Sequence, residues 1–291
     1  MKYAYYPGCS LHGLAQEYER SALSVGEALG VTLEELTDWA CCGATPAHAT
    51  NHLLSVALPA WTLAQVPRNG DQPPILVTAC AACFNRLRTA NYQLWADEGL
   101  RAQVEEVAEI ECKGPVEVRH LLDILHTEVG LTALQERVAR PLEGLKVACY
   151  YGCLLTRPPK ITASPNPENP QTMEELLTAV GATCVNWPYK TECCGGTLSL
   201  SRPDLVYKLV NDLLREAKEA EAEALAVACP LCQANLDLRQ SDVERRYQTS
   251  YNLPIFYFTQ LLGLALGLDR KALGLERLIV DPKSVLQKLG A

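Results

Sequence analysis

The apolar pattern of this chain changes period in a recurring order. Residues 2–6 form a short β-type run that Pro7-Gly8 ends. Apolar residues then fall at Leu14, Tyr18, Ala22, Val25 and Leu29, the period of a helix over 11–29 with Gly30 as its C-terminal cap. Residues 31–36 alternate again, as a strand does, and a second helix is expected over 48–65. After a proline-marked loop at 67–74, Ile75-Leu76-Val77-Thr78-Ala79 reads as a buried strand, and a third helix follows over 82–98.

The second half repeats the first. Leu145–Cys153 echoes Lys2–Cys9, Val185-Asn186-Trp187 echoes the run before Trp39, and Leu225–Cys229 echoes Leu76–Cys80. Helices are expected over 172–180 and 203–223, the mixed charges at 215–223 forming a solvated face. Strands alternating with helices predict an α/β fold of two pseudo-symmetric, Rossmann-like halves made by internal duplication. The expected divisions are 1–115, a helical connector over 116–144, and 145–291 ending in an apolar helix. Within the connector, 116–129 has helical spacing, and His120 beside its apolar stripe reads as a structural histidine. One insertion stands out: residues 157–170 carry five prolines and read as a surface loop placed as a lid over a site.

Composition narrows the class. With 291 residues, 48% hydrophobic and 21% charged, the chain has enough apolar material for a large core. Its net charge of −8 and the absence of a long basic run argue against nucleic-acid binding. The first residues lack the pattern of a signal peptide, so a cytoplasmic, reducing location is expected. Residues 247–268 carry no charge, yet Pro254, Gly263 and Gly267 interrupt the apolar run. A buried or partner-facing helix is expected there in preference to a membrane contact.

The 13 cysteines change the picture most. Cys9, Cys41-Cys42-Gly43 and Cys80-x-x-Cys83 give Cys-x31-Cys-Cys, then 37 residues, then Cys-x-x-Cys. Cys153, Cys193-Cys194-Gly195 and Cys229-x-x-Cys232 repeat this with gaps of 39 and 34. Each group falls just after an expected strand, and carboxyl ends of parallel strands share one edge, where sites gather. Thiolates select iron–sulfur clusters, zinc or Cu(I). Zinc ribbons or a thioredoxin-like dithiol are alternatives, but each module offers five sulfurs where zinc or a cubane needs four. Adjacent Cys-Cys side chains point apart, which suits a larger multi-iron object. Cys112 and Cys184 lie outside the pattern, and Cys149, four residues before Cys153, is a candidate for a supporting place.

These motifs, with Trp39-Ala40-Cys41-Cys42-Gly43-Ala44, Tyr150-Tyr151-Gly152-Cys153 and Cys229-Pro230-Leu231-Cys232-Gln233-Ala234-Asn235, resemble the Cys-Cys-Gly (CCG) domain family, as in the B-type subunit of heterodisulfide reductases. The resemblance runs through nearly the full length, including the tail Tyr257-Phe258-Thr259-Gln260. It implies two noncubane [4Fe–4S] clusters, held by Cys9, Cys41, Cys42, Cys80 and Cys83 and by Cys153, Cys193, Cys194, Cys229 and Cys232. It further implies thiol/disulfide redox chemistry on a small, protein-bound or lipoyl substrate, with the clusters as catalysts. The implied partners are a C-type, ferredoxin-like protein and an A-type flavoprotein, since no nucleotide-binding glycine motif is present. The alternative is an electron-transfer and docking subunit of a succinate-, glycolate- or lactate-oxidising complex that reduces a quinone. Lys190, Arg157 and His48, near the motifs, are candidates to meet an anionic substrate or are ordinary surface residues.

Overall fold

The computed structural model describes residues 1–44, 47–68, 70 and 72–290. The loop expected at 67–74 therefore lies partly outside the described residues. Eight strands form two four-stranded sheets in which every observed pairing is parallel. The first runs β2 (Thr32–Glu35), β1 (Lys2–Tyr5), β3 (Ile75–Thr78), β4 (Glu117–His120). The second repeats that order as β6 (Thr183–Cys184), β5 (Lys146–Tyr150), β7 (Ala224–Val227), β8 (Ile255–Tyr257). β3, β5, β7 and β8 are almost wholly buried, as parallel strands covered on both faces must be. In each sheet the chain order reverses direction beside the first strand, and a crevice opens at the carboxyl ends there. Cys9 follows β1 and Cys80 follows β3; Cys153 follows β5 and Cys229 follows β7, so both crevices are lined with sulfur.

Two expectations about local structure are corrected. The run 116–129 is not one helix. Its first part is β4, paired with β3 from Ile75↔Glu117 to Thr78↔His120, and a helix begins only at Leu121. The fourth strand of the first sheet thus lies inside the stretch expected to be a connector. Spacing misleads here because Val118, His120 and Leu122 alternate as a strand while Leu121, Leu122 and Leu125 repeat as a helix. The first helix also starts late. A short turn of helix, Gly8–His12, carries Cys9, and the long helix is Gln16–Ala28, which leaves Leu14 87% exposed between them.

The apolar segment 253–268 folds as β8 followed by the helix Phe258–Ala265, every residue of which is buried. That helix packs on Gln16–Ala28 of the other half, where Ser21 Oγ and Thr259 Oγ1 are 2.7 Å apart and Tyr18 stacks on Tyr257 with ring centroids 3.9 Å apart. Its apolarity serves the seam between halves. Among the described residues, no helix is long and apolar enough to cross a membrane.

His120 locks the seam. Its Nε2 donates to the carbonyls of Ala79 (2.9 Å) and Ala228 (3.2 Å), the residues immediately before Cys80 and Cys229, while Nδ1 accepts from the Leu122 amide (3.1 Å). Burial pushes its pKa down to about 4 despite those carbonyls. The unfolded chain therefore binds a proton near pH 6.5 that the native protein refuses until about pH 4, so stability is full above pH 6.5 and falls as the pH drops toward 4. The loss is on the order of 3 kcal/mol. Denaturant melts between pH 4 and 7 should show this slope, and His120→Gln, which keeps a donor without a titrating ring, should flatten it.

Candidate functional site

Each half assembles its five sulfurs from three loops at the carboxyl ends of its strands. In the first half, Cys42 Sγ lies 3.4 Å from Cys83 Sγ and Cys41 Sγ lies 3.9 Å from Cys9 Sγ. In the second, Cys194 Sγ lies 3.6 Å from Cys232 Sγ, and Cys153 is hydrogen-bonded to Cys193. Cys42, Cys80, Cys83, Cys194, Cys229 and Cys232 are buried, while Cys9, Cys41 and Cys193 open to solvent. All ten cysteines expected from the repeat are thus gathered in two groups.

The same devices hold both groups. Tyr6 donates to the carbonyl of Ala40 (3.0 Å) and Tyr150 to that of Glu192 (2.7 Å), each pinning the residue before a Cys-Cys pair. The amides of Gly43 and Gly195 point to Cys41 Sγ (3.5 Å) and Cys193 Sγ (3.3 Å). Gly8 and Gly152 sit at positive φ, and a Cβ on them would stand 2.9 Å from Cys83 Sγ and 3.1 Å from Cys232 Sγ. Any side chain there would intrude on the sulfurs, which is why the repeat carries Gly-Cys in both halves. In sequence Gly43 and Gly195 stand out in the Cys-Cys-Gly motif itself, while the roles of Tyr6, Tyr150, Gly8 and Gly152 were visible only as part of the echo between halves.

Across the seam, Cys80 and Cys229 follow the two carbonyls that His120 draws together, and each acts on the other's ionisation. Ala81, the first residue of the helix Ala81–Ala96 in the first half, lines one small cavity with Cys153, Cys193, Cys194, Cys229 and Cys232 of the second. The two groups therefore share a wall. Nothing in the spacing of either module announces this contact, because it depends on how the halves dock.

The charges fit a metal-bearing site. Cys41 is pulled down to about 2 by its hydrogen bonds with Cys42 and Cys9, which pushes Cys9 far up and Cys42 up to about 11. Cys193 is lowered to about 6 by Cys153 and the Gly195 amide. Cys229 is lowered by Cys232 and Cys80, which are themselves raised. Five thiols this close cannot all ionise against one another; multiple metal cations would let them. The hydroxyls of Tyr5, Tyr18 and Tyr257 are buried with no partner among the described residues, and all three feel the charge of Cys80. Such orphaned donors suit sulfur acceptors. A single zinc per module would use four of five sulfurs and leave the fifth buried thiol or adjacent pair idle.

The polar candidates fare differently. Lys190 is buried and ion-paired with Glu174 at 2.6 Å, and its Nζ also donates to the Pro170 carbonyl (3.3 Å), so it is not free to meet an anion. Its backbone carbonyl accepts from Tyr151 (2.8 Å) and Gly152 (3.2 Å), making it a brace beneath Cys153. Arg157 is tied to Glu168 and to the Thr191 carbonyl (3.2 Å) at the rim. His48 is exposed on the short helix Ala47–Thr50. Cys149 and Cys184 are 3.9 Å apart on adjacent strands, so Cys149 pairs with Cys184 and takes no part in the second group. Cys112 is remote, its amide bonded to Glu105 (2.8 Å). The proline-rich loop does border a cavity. A cleft of about 220 Å³ between the halves is lined by Phe84, Arg88, His120, Leu155, Thr156 and Ser164, and the Thr156 hydroxyl in its wall is buried without a partner.

A family profile described as a cysteine-rich domain (CCG) matches residues 3–88 and 147–237, one copy in each half. The chain is 32% identical over 283 residues to the 8-methylmenaquinol:fumarate reductase membrane anchor subunit of Wolinella succinogenes, covering 96% of this chain and 97% of that protein. It is 32% identical over 219 residues to the B-type subunit of the ferredoxin:CoB-CoM heterodisulfide reductase of Methanosarcina mazei, covering 74% and 73%. A protein of Archaeoglobus profundus that is itself like the heterodisulfide reductase B-type subunit matches at 29% over 92% of each chain. Among solved structures, a hypothetical protein from Helicobacter pylori superposes with a TM-score of 0.76 at 13% identity over 96% of this chain, which spans about half of that longer one.

Proposed function

The chain belongs to the cysteine-rich CCG domain family, and on that premise we propose that it is the iron–sulfur subunit of a heterodisulfide-reductase-like complex, performing reversible two-electron thiol/disulfide chemistry. Cys9, Cys41, Cys42, Cys80 and Cys83 would hold one noncubane [4Fe–4S] cluster, and Cys153, Cys193, Cys194, Cys229 and Cys232 the other; when bound, these supply single electrons. The observation that carries the reading is the shared wall at Cys80 and Cys229 between two complete five-sulfur sets. Breaking a disulfide takes two electrons, and two adjacent one-electron centres can provide them at one place.

The chain's own residues do the rest. His120 fixes the backbone before Cys80 and Cys229, and so the spacing of the two sets. Phe84 and His120 also line the cleft beneath the proline-rich loop, whereas the smaller cavity bounded by Cys153, Cys193, Cys194, Cys229 and Cys232 is the one that would bring a disulfide to the sulfurs. Arg88 in that cleft donates to two carbonyls, of Ile161 (2.6 Å) and Val118 (3.1 Å), and lies over the Phe84 ring, with the charges of Glu117 and Asp123 acting on it, so it braces the cleft wall. Arg157 stands near Cys153 at the rim of the second group, while His48 is exposed on the helix Ala47–Thr50. Electrons would enter through a C-type, ferredoxin-like protein and an A-type flavoprotein, as in the heterodisulfide reductases the chain resembles, since the sequence carries no nucleotide-binding glycine motif.

A second reading is favoured by the near full-length match to the quinol:fumarate reductase protein: an electron-transfer and docking subunit of a succinate-, glycolate- or lactate-oxidising complex that exchanges electrons with a quinone. Anaerobic assays with chemically reduced protein separate the two. Consumption of small-molecule or lipoyl disulfides without quinone reduction is expected; quinone reduction with inert disulfides would transfer the assignment to the second reading.

A further inference from the structure

Beneath the symmetry of the two groups lies a difference of charge at equivalent places in the repeat. Three residues after the second cysteine of each Cys-x-x-Cys, the first half has Arg86 and the second has Asn235. Asn235 is fully engaged: its Nδ2 donates to the carbonyls of Cys194 (3.0 Å) and Gly196 (3.3 Å) and lies 3.7 Å from Cys194 Sγ, while its Oδ1 accepts from Ser199. Its environment is neutral and satisfied.

Arg86 is neither. Its guanidinium is half-buried, and among the described residues its Nε, closed off from solvent, has no acceptor and Nη2 has only the Ser55 carbonyl at 3.5 Å. Among the described residues it has no carboxylate partner, and the charge that acts on it is that of Cys42. Arg86 thus occupies in the first half of the repeat the place that Asn235 occupies beside Cys194, but it brings a full positive charge and an unused donor. A buried donor without an acceptor calls for an explanation, and a centre bound at Cys42, whose charge acts on Arg86, would supply sulfur acceptors.

Resting on the iron–sulfur reading above, we propose that Arg86 lays its charge and its Nε–H against the sulfurs of the first centre, making that centre accept an electron more readily than the second. Hydrogen bonds and nearby charge at the sulfurs set the potentials of such centres, and a cation acts strongly where water is excluded. The second centre, with the neutral Asn235 amide in that place and an Arg157 already neutralised by Glu168 at its rim, is then the stronger reductant. The halves share a fold and differ in redox role, so that an arriving electron rests first beside Cys42.

Redox titration of the anaerobically purified protein, followed by EPR, tests this. Cys194→Ser, which removes the second centre, identifies the signal of the first. The wild type should reduce in two separate steps, the first centre at the higher potential. Arg86→Gln should retain its iron and disfavour reduction of the first centre by about tenfold, ~59 mV for one electron, with the second centre unmoved. Arg86→Lys keeps the charge but loses the Nε donor and should shift the same midpoint in the same direction by less; it carries the test if Arg86→Gln does not fold. Unchanged first-centre midpoints in iron-replete variants, or equal shifts of both centres, overturn this inference alone. A wild-type protein without iron overturns the iron–sulfur reading and this inference with it.

Discussion

Cys194→Ser should yield a folded protein with about half the iron of the wild type, because the hard serine oxygen replaces a soft thiolate in one group and leaves the other group complete. Cys194 is buried, 3.6 Å from Cys232, and held by Asn235. The first group draws none of its five sulfurs from the second half, so its iron should survive. Iron per chain and visible absorbance check this. Full retention of iron would mean that the second group is not a ligand set, and complete loss would mean that the two groups fill only together through Cys80 and Cys229.

Lys190→Ala should cost about 3–5 kcal/mol, the scale for leaving one member of a buried ion pair alone. The side chains of Lys190 and Glu174 are 5% and 10% exposed, and Tyr151 donates a further hydrogen bond to Glu174. The alanine would leave that carboxylate in the core without its cation and would release the end of the proline-rich loop at Pro170. Urea melts measure the loss. The double variant Lys190→Met, Glu174→Gln should recover most of it, since removing both charges removes the unpaired one. A loss below about 1 kcal/mol in the single variant would contradict the bracing role and restore Lys190 as a residue free to meet substrate.

Much of the fold could be read from the chain because strand and helix periods alternate cleanly and because the repeat reports each element twice. β3 and β7, both continuous apolar runs ending at a Cys-x-x-Cys, were plain for that reason. β4 was not, since its four residues run straight into the helix Leu121–Ile124 and the apolar positions serve both periods. The membership of each cysteine group was equally legible, as it follows from strand ends meeting at one sheet edge. What depends on docking was not: the contact of Cys80 with Cys229, the grip of His120 on two carbonyls 149 positions apart in the chain, and the pairing of Cys149 with Cys184. Lys190 misled because a lysine beside a cysteine motif looks like a surface charge, and only its burial against Glu174 gives it a partner. Arg86 and Asn235 occupy equivalent places in the repeat, but their difference gains meaning only when one side chain is satisfied and the other is not.

The central claim is that two five-sulfur groups each hold a multi-iron centre. Metal analysis of anaerobically purified protein, with EPR of the same sample, tests it most directly. Roughly eight irons per chain, with signals unlike those of a cubane, is the result expected for two four-iron centres. About two zinc atoms per chain, one for each group, or no iron at all, would contradict it and return the cysteines to a structural role.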